Sequence, residues 1–135
     1  MRKLLLLSFF IAVSAVSAET KEQLAERYLN DSATSAEIKE GIRKGVVVVG
    51  MCPFQAYAAA GFPGPYMVKS DKEKWKSNVP PPAIINAQCK NPDNSVIELM
   101  FKNRAQFGTE KPVVFRVRFE KGKVTLIDQK KFNDN

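Results

Sequence analysis

The stretch Ser95-Val96-Ile97-Glu98-Leu99-Met100-Phe101-Lys102, followed by Pro112-Val113-Val114-Phe115-Arg116-Val117-Arg118-Phe119-Glu120, decides the fold. Side chains of a strand alternate between two faces. Ile97, Leu99 and Phe101 therefore share one face, with Glu98 and Lys102 on the other. In the second run Phe115, Val117 and Phe119 share a face, opposite Arg116, Arg118 and Glu120. Two half-buried strands of this kind form an antiparallel sheet with one greasy and one polar side. Lys121-Gly122 is a tight-turn pair and leads into a further run, Lys123 to Asp128.

Upstream, Ala83 to Lys90 reads as another strand, with Ile85, Ala87 and Cys89 against Asn86, Gln88 and Lys90; Asn91-Pro92-Asp93-Asn94 turns it into the Ser95 to Lys102 strand. Asn103 to Lys111 reads as a mobile loop. The polar face is expected to expose Gln88, Glu98, Lys102, Arg116 and Arg118. Earlier in the chain the signals are helical. Thr20-Lys21-Glu22-Gln23 has the form of a capping box and opens a helix over Lys21 to Leu29. Thr34-Ser35-Ala36-Glu37 has the same form before a helix carrying Ile38 and Ile42, with Gly45 as its stop. Val46 to Val49 is a buried extended connector. Cys52-Pro53 then opens a third helix to Ala60, whose Ala56, Ala59 and Ala60 permit close packing. The expected fold is a two-layer α+β domain, a short helical pair on one face of a three- to four-stranded antiparallel sheet.

The chain begins MRKLLLLSFFIAVSAVSAET. Arg2 and Lys3, the apolar run Leu4 to Val13, and Val16-Ser17-Ala18 before Glu19 have the charge order and small residues of a cleaved secretory signal. The run is short for a membrane span, and no cysteine follows Ala18 to accept a lipid. The expected organisation is a signal over 1–18, a helical extension over 19–34 and an α+β domain over 35–130, soluble in the periplasm or secreted. Loss of Arg2 and Lys3 takes the 21 Lys+Arg to 19 against 14 Asp+Glu, a net charge of +5. Interspersed charges of this size suit weak attraction to an anionic membrane surface and not nucleic-acid binding.

The chain has no histidine, which removes the commonest general base and zinc ligand, and no cofactor or metal is expected. Its two cysteines, Cys52 and Cys89, are expected to pair in an exported chain. The competing reading makes Cys52 a nucleophile at a helix N-terminus.

The run Ala36-Glu37-Ile38-Lys39-Glu40-Gly41-Ile42-Arg43-Lys44-Gly45-Val46-Val47-Val48-Val49-Gly50-Met51, with Phe54-Gln55-Ala56 and Ala60-Gly61-Phe62-Pro63, resembles the opening of the SmpA/OmlA (BamE-like) domain. Trp75 falls where such domains often carry an aromatic residue, and Phe119 to Val124 resembles their final strand-turn-strand. The resemblance spans 35–128 and is most specific over 38–63. It implies a non-catalytic envelope binding or scaffold protein that contacts other envelope proteins. This sequence departs from the assembly-factor branch in lacking a lipid-acceptor cysteine and in placing Cys52 at the usual Ser/Thr cap. The layered fold also resembles the repeating unit of secreted β-lactamase-inhibitory proteins, which implies an inhibitor as the alternative. Arg116, Arg118, Lys102 and Phe107 are the expected contact residues; an inhibitor would add Tyr66, Met67 and Trp75 as candidate anchors, against a reading in which Tyr66 and Trp75 cover the core edge, the one preferred for Trp75.

Overall fold

In the computed structural model the residues described are 19–64, 87–94 and 96–129. The signal segment, Tyr66, Met67, Trp75 and the first part of the predicted Ala83 to Lys90 strand lie outside them.

Among the described residues the elements are the helices α1 Lys21–Leu29, α2 Ala36–Lys44 and α3 Pro53–Ala60, followed by an antiparallel sheet of β1 Val96–Asn103, β2 Val113–Glu120 and β3 Lys123–Gln129. This is the expected α+β architecture. At α1 the Thr20 hydroxyl accepts from the Gln23 N–H, and the Gln23 side chain accepts from the Thr20 N–H. The second cap differs from expectation by one residue. Ser35 caps α2 by accepting from the Ile38 N–H, while the Thr34 hydroxyl donates to Asp31. Gly45 closes α2 in the left-handed conformation at φ 75°, which a side chain resists.

The core lies between the helices and the inner face of the sheet. Leu24, Ile42, Val47, Met51, Ala56, Tyr57 and Ala59 meet Ile97, Leu99, Phe101, Phe115, Val117, Phe119 and Val124 there. Leu24, from the predicted 19–34 extension, belongs to this same core. The strand register sets Ile97 beside Phe119, Leu99 beside Val117 and Phe101 beside Phe115, so one face is wholly apolar. Each of these large side chains contributes about 1.5–3 kcal/mol on burial.

Two expectations are corrected by the structure. Residues 87–90 form a helical turn, with the Asn91 N–H donating to the Ala87 carbonyl at 2.7 Å, and not a strand. The short Ile85-Ala87-Cys89 alternation is too brief to distinguish the two. The Asn103 to Lys111 loop is pinned. Asn103 Nδ2 donates to the Gly45 carbonyl at 3.0 Å and Asn103 Oδ1 accepts from the Gln106 N–H. Gln106 Oε1 accepts from the Val47 N–H at 2.7 Å while its Nε2 donates to the Val47 carbonyl at 3.0 Å. One side-chain amide thus satisfies both backbone groups of Val47, the buried residue of the connector; the run is not buried throughout as expected, since Val49 enters the turn at Gly50 and is 63% exposed.

A register shift at Arg118/Phe119 inserts an extra residue, Thr125, into β3. Val124 pairs with Phe119 on the inner face, whereas Leu126 pairs with Arg118 on the outer face.

Candidate functional site

The outer face of the sheet carries three of the expected contact residues. Arg116, Arg118 and Lys102 stand there, but the two arginines are engaged within the chain. Arg118 donates to Glu98 Oε1 through Nε at 3.3 Å and Nη2 at 3.1 Å. Arg116 donates to Glu98 Oε2 at 3.5 Å and to Asp128 Oδ2 at 2.6 Å. The hydrogen bond and charge of Asp128, then the charge of Glu98, hold the Arg116 guanidinium above its ordinary range. Glu98 is not exposed as its place on the polar face implied; only 1% of it reaches solvent. Two guanidinium groups meet its carboxylate, and charges buried in this way require partners. Gln88, also expected on that face, is 2% exposed and sits in the 87–90 turn. Lys102 remains exposed, paired across the ladder with Val114.

Phe107 is not brought together with these residues. Its ring meets Phe115 edge-on at 5.8 Å, and Phe115 belongs to the inner face. Packing thus explains one side of Phe107, while 40% of it stays exposed.

The Cys52–Cys89 disulfide is formed, with Cα atoms 5.3 Å apart across a sequence separation of 37. The predicted pairing holds, although Cys89 reaches Cys52 from a helical turn and not from a strand. The bond ties the N-terminus of α3 to residues 87–90. Around it the neighbours are specific. The Phe54 N–H donates to Cys89 Sγ at 3.3 Å, the Tyr28 hydroxyl lies 3.9 Å from Cys52 Sγ, and Gln55 Oε1 accepts from the Cys52 N–H at 2.9 Å.

Beside the disulfide an open groove of about 1200 Å³ runs between α1, the α1–α2 loop, the start of α3 and the β2–β3 turn. The apolar side chains along it include Tyr28, Ile38, Phe54 and Phe62. Phe62 is 60% exposed and packs edge-on against the Tyr57 ring at 5.4 Å. Burial pushes the Tyr28 hydroxyl above its ordinary range, opposed by Arg27, whose guanidinium lies 5.1 Å from the ring centroid. Sequence reasoning missed this groove because it is assembled from segments far apart in the chain. The exposed aromatic in Gly61-Phe62-Pro63 was its one local signal.

Among the described residues no cluster of acidic or sulfur ligands could hold a metal ion, and no helix is long and apolar enough to cross a membrane. Comparison with protein-family models, with curated proteins and with solved structures returns no match.

Proposed function

We propose that this chain is an exported, non-catalytic binding protein of the cell envelope, and that it holds a protein partner in the groove beside Cys52–Cys89. Export and an envelope role are what the opening sequence and the SmpA/OmlA resemblance imply. The single observation that carries the choice of surface is a contrast in satisfaction. On the outer sheet face Arg116 and Arg118 spend their donors on Glu98 and Asp128. In the groove Phe62 is left largely in water beside further apolar side chains. Exposed aromatics flanked by polar rims are where protein partners gain binding energy. The disulfide adds support in two ways: it suits an oxidising compartment, and it occupies the sulfur that the competing thiol mechanism needs.

Photo-crosslinking from two positions tests the reading. A crosslinker at Phe62 is expected to capture an envelope protein in intact cells, and one at Lys102 is expected not to. Capture from Lys102 alone would return the contact to the sheet face, and recovery of the protein only from the cytosol would end the envelope assignment.

A further inference from the structure

The charges around the groove are distributed unevenly. At the α1 end they are satisfied internally: Glu19 pairs with Arg27 at 3.2 Å, and Asp31 accepts from the Ala33 N–H and the Thr34 hydroxyl, each at 3.0 Å. At the opposite end Lys90, Lys121 and Lys123 line the groove. All three are exposed, and none forms an ion pair with an acid among the described residues.

The fold gathers these lysines and holds them in place. Lys121 at φ 51° and Gly122 at φ 73° form the turn between β2 and β3. That turn is seated on the 87–90 segment so closely that a Cβ on Gly122 would fall 2.5 Å from the Gln88 carbonyl oxygen. Lys121 and Lys123 therefore flank the segment that carries Lys90. The 87–90 segment is also held from within. Gln88 Nε2 donates to Asp93 Oδ1 at 3.1 Å, which fixes the amide orientation because a carboxylate only accepts. Gln88 Oε1 is buried and has no donor among the described residues.

We propose that the groove takes an extended acidic peptide segment of a partner protein. Its carboxylates lie among Lys90, Lys121 and Lys123, and its apolar side chains lie over Tyr28, Phe54 and Phe62. The open form of the groove favours a peptide, since small molecules are held in cavities that enclose most of their surface. This inference rests on the groove reading above and adds the chemistry of the occupant.

The test uses the oxidised mature protein and fluorescence anisotropy with two labelled octapeptides. Both carry Leu and Phe in the first half; the second half holds three Glu in one and three Lys in the other. The acidic peptide is expected to bind at least about tenfold more tightly, with affinity falling as salt rises. The Lys90→Glu/Lys121→Glu/Lys123→Glu variant, checked for an unchanged melt, is expected to reverse that preference. Equal binding of both peptides that is lost in Phe62→Ser would overturn the acidic partner and keep the groove. Binding that survives both Phe62→Ser and the triple variant would overturn groove and partner together. Absence of binding, tighter binding to vesicles rich in anionic phospholipid, or self-association of the free protein would also overturn the acidic-peptide proposal.

Discussion

Asp128 lies directly across the ladder from Arg116, and its Oδ2 accepts from Arg116 Nη2 at 2.6 Å. The extra residue at Thr125 brings about this pairing. Without it, strict alternation from the inward-facing Val124 would direct Leu126 and Asp128 inward as well. With it, both belong to the outer face, where Asp128 and Glu98 share Arg116. A local irregularity of β3 thus brings Asp128 to the face where the β1–β2 register has already set Glu98 among the arginines.

Glu98 makes the first prediction. The Arg116→Met/Arg118→Met variant leaves a carboxylate that is 1% exposed without a cationic partner. The expected loss is about 3–5 kcal/mol in urea denaturation, the usual cost of orphaning a buried charge. Adding Glu98→Met should recover most of it, because the apolar replacement requires no partner. A triple variant no more stable than the double would refute the account.

The disulfide makes the second. Replacing Cys52 and Cys89 by serine releases a loop with a sequence separation of 37. The expected cost is about 3–4 kcal/mol in the chain-entropy account, with a Tm lower by roughly 15–25 °C. Thermal melts of the two forms under non-reducing conditions measure it directly.

How far these features could be read from the sequence depended on the range of the forces that set them. The Thr20 cap, the Pro53 start and the alternation of 97–101 and 115–119 are local, and each was legible. Ser35 and not Thr34 caps α2, and the Thr34 hydroxyl donates to Asp31 instead. The burial of Glu98 depends on strand register, and the helical turn at 87–90 on its seat beneath Gly122; neither is encoded in neighbouring residues. The groove is the extreme case, since its walls come from both ends of the described chain.

A third prediction concerns pH. The Ala33 N–H, and then the Thr34 hydroxyl, hold the Asp31 carboxyl below its ordinary value of 3.8. A carboxyl depressed in the folded state contributes stability that is present above its unfolded value and lost as pH falls through the lower folded one. NMR titration should place Asp31 below an ordinary aspartate, and Thr34→Val should move it upward. An unchanged midpoint in Thr34→Val would exclude the hydroxyl as a cause.

Two glycines supply the fourth. Gly122→Ala combines a left-handed φ of 73° with a methyl that meets the Gln88 carbonyl oxygen at 2.5 Å. Gly45→Ala has a similar φ of 75° but ordinary contact at 3.5 Å. The expected destabilisation is about 1 kcal/mol for Gly45→Ala from backbone strain alone, and more than about 2 kcal/mol for Gly122→Ala. Equal losses at the two sites would show that the turn yields to the methyl, which would weaken the rigid placement of Lys121 and Lys123.

The Gln106 amide has a consequence beyond holding its loop. Val46-Val47-Val48-Val49 is an uncharged β-branched run of the kind that templates cross-β growth when its main chain is available. Gln106 occupies both the N–H and the carbonyl of Val47, as a neighbouring strand would, yet it is a side chain and offers no further rung. A ladder begun on this run would therefore end at Val47, the one residue of the four that is buried.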